Sequence, residues 1–282
     1  MSWGLENRLA RIIKPADGRT VMLAVDHGYF LGPTTGLEDI HASIMPLVQY
    51  ADTLMLTRGA LRNDIDSTTG TPIVLRVSGG SSVLEEDLSN ETLVVSTEEC
   101  IRMNAAGMAM QVFIGAPHQH QTIANLGRLV DEGERYGIPV IGVTAVGKDM
   151  VRDARYLALA CRIIAETGGH IVKTYYCEDF ERVTSTCPVP IVMAGGKKLS
   201  EREALEMTAK AIAGGAAGVD MGRNIFQSDS PVGMIKAVNA VVHGGASVDD
   251  AYAVYEDEKA ASGVTGPGVG SAAVTADDTR KI

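Results

Sequence analysis

A chain of 282 residues is long enough to bury a large core and lies close to the roughly 250 residues of a single α/β barrel. With 45% hydrophobic and 21% charged residues it belongs with ordinary globular proteins, not with disordered or fibrous ones. A formal net charge of -10 excludes the broad basic face with which nucleic-acid-binding proteins replace counterions, so any recognition of phosphate has to be local.

Cys100, Cys161, Cys177 and Cys187 are widely spaced and form no Cys-x-x-Cys pair, a pattern of neither a zinc framework nor a disulfide scaffold. Reduced thiols in a cytoplasmic protein are expected. The first residues lack a charged segment followed by an apolar run. No later stretch reaches the roughly 18 apolar residues of a membrane span, so no membrane partner is expected.

From Leu5 to Ile13 apolar residues recur at helical spacing, predicting a short amphipathic helix that covers one end of the main fold. Trp3, just ahead of it, reads as a packing anchor for this segment. Thr20-Val-Met-Leu-Ala-Val25 is then an apolar strand stopping at Asp26-His27-Gly28, and a helix is predicted from Leu37 to Val48. The second strand is Thr53 to Thr57 with Arg58 after it, and the third is Pro72 to Val77 followed by Ser78-Gly79-Gly80. Ser96-Thr-Glu-Glu99 has capping-box spacing for a helix to about Ala106, ahead of a fourth strand, Met110 to Ile114.

A helical segment from Gln119 to Tyr136 stops at Gly137, and Pro139 to Thr144 is the fifth strand. Residues 150–167 are helical in pattern, and Gly169-His-Ile-Val-Lys-Thr-Tyr175 is the sixth strand. Pro190 to Met193, running into Ala194-Gly195-Gly196-Lys197, is the seventh. Ser200-Glu-Arg-Glu203 opens a helix to about Ala213, and Ala217 to Met221, running into Gly222-Arg223, is the eighth strand. Ser228-Asp-Ser230 with Pro231 marks another helix start, and a last helix is predicted from Val248 to Lys259. From residue 261 the glycine-rich composition cannot bury a core and predicts a disordered tail.

Eight strands too uniformly apolar to have a wet face, alternating with helices, indicate a parallel sheet covered on both sides. Eight closes a (β/α)8 TIM barrel, in one domain over residues 1–260. A doubly wound open sheet is the alternative, but it would place a glycine-rich loop after the first strand, where this chain has Asp-His-Gly.

In such barrels chemistry sits at the carboxyl ends of the strands. The candidates are therefore Asp26 and His27 after the first strand, Arg58 after the second, Lys148 after the fifth and Lys173 on the sixth. Gly195, Gly196 and Lys197 after the seventh strand and Gly222 and Arg223 after the eighth have the makings of a phosphate site, glycine backbone beside a cation. A lysine in a buried strand is paired, neutralised or reactive. A salt-bridged core lysine is one reading of Lys173, and an amine attacking a carbonyl is the other. A free lysine has a pKa of roughly 10.4, so lowering it to about 7 raises the neutral, nucleophilic fraction roughly a thousandfold. Burial or a second cation, such as Lys148, Lys197 or Arg223, pushes that way. His118 and His120 stand two apart in a predicted loop and do not suggest a metal site.

Four stretches, Ala24-Val-Asp-His-Gly28, Ile171-Val-Lys-Thr-Tyr175, Val192-Met-Ala-Gly-Gly-Lys197 and Met221-Gly-Arg-Asn-Ile-Phe-Gln227, occur in order. In them the chain resembles the archaeal-type class I aldolases, a family of imine-forming barrels. The resemblance implies Lys173 as the imine-forming residue, Asp26 as a carboxylate in the pocket, and the loops at Gly195-Gly196 and Gly222-Arg223 as the phosphate site. Those aldolases carry Tyr-Pro-Arg-Gly after the fifth strand, where this chain has Ala145-Val-Gly-Lys148 and no proton-shuttling tyrosine.

The stretches Val143 to Asp153, Asp26 to Phe30 with Gly32 to Gly36, and Lys173-Thr-Tyr-Tyr176 look like a thiolase branch of the family, active in bacterial autoinducer-2 breakdown. That likeness implies acetyl transfer from a small phosphorylated diketone to coenzyme A, a co-substrate, with no bound cofactor. It also implies a homo-oligomer. An aldolase for a sugar phosphate such as fructose 1,6-bisphosphate, using the same lysine, is the rival enzyme. A non-catalytic sugar-phosphate-binding barrel is the rival of another class.

Overall fold

The computed structural model describes residues 1–146 and 152–263. Eight strands close a parallel barrel: β1 (Thr20–Ala24), β2 (Thr53–Leu56), β3 (Ile73–Arg76), β6 (Gly107–Ile114), β7 (Val140–Val146), β8 (Ile171–Tyr175), β9 (Ile191–Ala194) and β10 (Gly218–Met221). Two further strands, β4 (Ser78–Gly79) and β5 (Thr92–Leu93), pair antiparallel in a hairpin inserted between β3 and the next barrel strand. Each barrel strand pairs with its chain neighbour and β1 closes on β10, which removes the open-sheet alternative. A closed barrel leaves no unpaired sheet edge.

The helices, in chain order among the described residues, begin with α1 (Trp3–Ile12), α2 (Gly28–Leu31), α3 (Ile40–Val48) and α4 (Arg58–Asp64). They continue with α5 (Thr97–Arg102), α6 (Gln119–Tyr136), α7 (Ala154–Glu166) and α8 (Phe180–Ser185). The last four are α9 (Glu201–Ala213), α10 (Arg223–Phe226), α11 (Pro231–Val242) and α12 (Val248–Ala261). Side-chain caps fix many starts: Ser96 caps α5, Asp153 caps α7, and Ser200 with Glu203 forms the reciprocal capping box of α9. Asp153 caps α7 at Ala154, the first residues of the helix predicted from 150 lying outside the described residues, and the Asp39 cap starts α3 three residues later than the helix predicted from Leu37.

Apolar side chains form two layers. One lies between the strands and the surrounding helices. The other fills the barrel interior with Met22, Met55, Val74, Ala109, Ile141 and Ile171, among others, and includes Ile12 of α1. Ile12 and Leu5 are fully buried, so α1 plugs the amino-terminal end of the barrel, the role its amphipathic pattern predicts. Trp3, in contrast, is 79% exposed and is not packed as an anchor among the described residues; its place on the outward side of the first helical turn overrides the expectation. The tail expected from residue 261 lies, from 264 onward, outside the described residues. No helix among the described residues is long and apolar enough to cross a membrane.

Candidate active site

A cavity of about 790 Å³ opens at the carboxyl ends of the strands. Lys173 reaches it from β8. The strand alternates sides, so Ile171 and Lys173 point into the barrel while Val172 packs outward. Lys173 is 8% exposed, and its Nζ stands 3.0 Å from Oδ2 of Asp220, a buried carboxylate on β10. Burial pushes the Asp220 carboxyl above the ordinary carboxylate range while Lys173 pulls it back. The lysine is thus ion-paired, as the salt-bridge reading of the sequence has it, and of the cations offered there Arg223 lines the same cavity.

Asp26, at the end of β1, is buried and accepts a hydrogen bond from Arg76 Nε at 3.0 Å. Burial alone would raise its pKa, but Arg76 and Lys173 outweigh burial and hold Asp26 below the usual range, ionised. Arg76 Nη2 donates to the Tyr29 hydroxyl at 3.2 Å, and that hydroxyl donates to Glu91 at 2.7 Å. Glu91 also accepts from Ser78 Oγ at 2.6 Å, so this polar chain runs from Asp26 out to the β4–β5 hairpin.

His27 follows with its Nδ1 buried and unpartnered. Burial pushes its pKa down to about 4, Asp26 opposing and Arg223, Lys173 and Arg76 assisting. His27 is therefore neutral at neutral pH. Because the unfolded chain binds this proton near the ordinary 6.5, the contribution to stability is full above that pH. It is lost as pH falls from about 6.5 toward 4, by about 3 kcal/mol at the acid end. Thermal unfolding of His27→Asn beside the parent at pH 5 and pH 7.5 should show a smaller acid loss in the variant; equal losses would contradict the shift.

The opposite side of the cavity is cationic. Gly195 and Gly196 follow β9, with Gly196 in the left-handed region at φ 66, and Gly222 and Arg223 follow β10. A Cβ at Gly222 would lie 2.3 Å from the Ala24 carbonyl and 2.5 Å from the His27 ring, so only glycine allows this backbone approach. Arg223 lines the cavity with its Nε buried and unpartnered. Arg152 stacks 3.9 Å over the Tyr175 ring, and burial and then the Arg152 charge push the Arg223 pKa down while Tyr175 opposes. Two guanidinium groups lining one end of the cavity favour an anion there.

The predicted residues therefore separate. Lys173, Asp26, His27, Gly195, Gly196, Gly222 and Arg223 all line the cavity. Arg58 does not: Thr57 caps α4, which carries Arg58 outward to an exposed position. Lys197 is exposed and absent from the lining, the chain turning away at Gly196. Lys148 lies outside the described residues. Arg76, Asp220, Tyr29, Glu91 and Arg152 are the site residues that sequence reasoning did not single out. Among the described residues no group of three or more His, Cys, Asp or Glu is arranged to hold a metal.

Relatives share most of the chain. An aldolase of Pasteurella multocida is 59% identical over 92% of this chain and 89% of its own length. Proteins of Yersinia pseudotuberculosis and Escherichia coli K12, each named 3-hydroxy-5-phosphonooxypentane-2,4-dione thiolase, are 56% and 57% identical over the same shares. Among solved structures, an archaeal fructose 1,6-bisphosphate aldolase superposes with a TM-score of 0.76 at 24% identity, covering 86% of this chain and 100% of that one. A fructose-bisphosphate aldolase of Slackia heliotrinireducens gives 0.80 at 19% identity over 92% of each, and both likenesses are of fold. The model of the DeoC/LacD family aldolases matches residues 20–228, from the first barrel strand past the last, and the chain belongs to that family.

Proposed function

We propose that this enzyme transfers the acetyl group of 3-hydroxy-5-phosphonooxypentane-2,4-dione to the thiol of coenzyme A, releasing dihydroxyacetone phosphate and acetyl-CoA. The observation that carries the reading is the buried Lys173 amine facing a cavity with an anion-favouring end. The relatives named as thiolases support the choice of substrate. Ala145 lines the cavity where the aldolase resemblance expects a tyrosine, leaving no hydroxyl there to start an ordinary aldol cleavage.

The Lys173 amine attacks the ketone beside the phosphorylated carbon and expels water to form an imine, with Asp220 taking up the ammonium proton. The phosphate sits between Arg152 and Arg223 against the Gly195-Gly196 and Gly222 backbone. The thiolate attacks the acetyl carbonyl. The bond between carbons 2 and 3 breaks, and its electron pair moves into the imine as an enamine. Carbon 3 receives the proton given up by the thiol, carried by the ionised Asp26 with neutral His27 beside it. Water then hydrolyses the imine, releasing dihydroxyacetone phosphate and the free lysine.

Incubating the enzyme with this diketone should yield acetyl-CoA only when coenzyme A is present. Borohydride with dihydroxyacetone phosphate should leave a reduced adduct on the Lys173 peptide. Labelling without acetyl-CoA would sink the thiolase and favour an aldolase.

A further inference from the structure

The cavity has two chemically different ends. On the β8–β10 side stand Arg152, Arg223 and the glycine turns; on the β3–β6 side the charged lining residues are carboxylates, Glu86, Asp87 and Glu91, together with Arg76, which is tied to Asp26. The lining residues that are exposed, Glu86, Gly115 and Pro117, also belong to the second side. Among the described residues the mouth of the cavity is therefore there, between the lip of the β4–β5 hairpin and the turn after β6. Both walls of this mouth are fixed. Phe30 O accepts from the Val83 amide at 3.0 Å on the hairpin side, and Ser89 Oγ accepts from the His118 amide at 3.2 Å across to the β6 side.

A substrate held by its phosphate at the arginines and by Lys173 as an imine points its other end, the acetyl group, away from β8–β10. The acceptor thiol has to arrive from the opposite side. The space available there is walled by Phe30, Leu88, Phe113 and Pro117, with the Gln111 amide and the Tyr29 and Ser81 hydroxyls as its uncharged polar groups. Such a wall suits an uncharged chain of methylenes and amides and repels phosphate.

We propose that this second lobe is the channel for the pantetheine arm of coenzyme A, its nucleotide end remaining outside the acidic lip. The inference rests on the thiolase reading and adds the location of the thiol donor's site. It also orients the substrate, because the carboxylate-lined lobe refuses the phosphate that the arginine end accepts.

The test narrows each wall of the channel separately, with Ala116→Trp on the β6 turn and Leu88→Trp on the hairpin lip. Three quantities are read in the full enzyme: the KM for coenzyme A, the KM for pantetheine as acyl acceptor, and the dihydroxyacetone phosphate concentration that half-labels Lys173 under borohydride. In each variant both thiol KM values should rise tenfold or more while half-labelling stays within twofold of the parent. Preserved labelling also reports that the variant is folded. A coenzyme A KM unchanged in both variants would overturn the proposal, as would labelling weakened as much as thiol binding. Failure of the thiolase reading itself is a different result: the parent enzyme then makes no acetyl thioester with either thiol.

Discussion

Replacing Lys173 with methionine is expected to lower turnover by about 10⁴-fold or more and to abolish borohydride coupling of dihydroxyacetone phosphate to the protein. Methionine keeps most of the side-chain volume in a position that is 8% exposed, so packing around β8 is retained. The buried Asp220 loses its ion-pair partner, but burial already pushes that carboxyl toward its neutral form. Lys173→Met should therefore fold, as thermal unfolding will show, while lacking the electron sink on which carbon-carbon cleavage depends. Phosphate affinity, measured with inorganic phosphate as a competitor of coupling in the parent and by direct binding in the variant, should change little. Retained turnover would remove the imine from the reaction.

The largest stability effect is expected at Arg76. Its guanidinium and the Asp26 carboxylate are both buried and 3.0 Å apart, and removing one partner of such a pair strands the other's charge. Arg76→Met should cost about 3–5 kcal/mol in denaturant unfolding at neutral pH. The sign with pH follows from Asp26. In the parent its pKa lies below the ordinary value, so its contribution is present at neutral pH and fades in acid. Without Arg76 burial dominates and the folded pKa rises above the unfolded one. The penalty in Arg76→Met then shrinks as pH falls and Asp26 becomes neutral in the folded state. The double variant Arg76→Met with Asp26→Asn should recover the part of the loss at pH 7 that comes from the stranded Asp26 charge, leaving the smaller part due to buried Glu91. A single variant as stable as the parent would show that the pair is not buried in solution.

The barrel was legible because its strands are continuous apolar runs and its helices carry capping residues; Thr20 to Ala24 and Ser200 with Glu203 identify themselves locally. The β4–β5 hairpin was not, since two-residue strands have no periodicity and exist only through tertiary contacts such as Glu91 with Tyr29. Lys173 stood out as a charge inside an apolar run. The same argument applied to Arg76 in Pro72-Ile-Val-Leu-Arg-Val77 and to Asp220 in Ala217-Gly-Val-Asp-Met221, and would have found both partners of the central carboxylate and lysine. Position after a strand was a weaker guide. Arg58 and Lys197 follow β2 and β9 as Asp26 follows β1, but a helix cap at Thr57 and a left-handed turn at Gly196 send them outward. Arg152 lies before an Asp153 cap, and nothing local tells that its guanidinium folds back over Tyr175.

Among the described residues the packed interior layer, with Ile12 at its lower end, leaves the cavity open at the carboxyl ends of the strands. With Lys173 at the floor and the mouth on one side, the proposed thiolase reaction would follow a last-in, first-out order. The phosphorylated ketone has to be seated before the thiol closes the way behind it, and the thioester has to depart before the triose can. On that reading the kinetic order of the reaction is a consequence of the packed barrel floor, which Ile12 of the first helix completes.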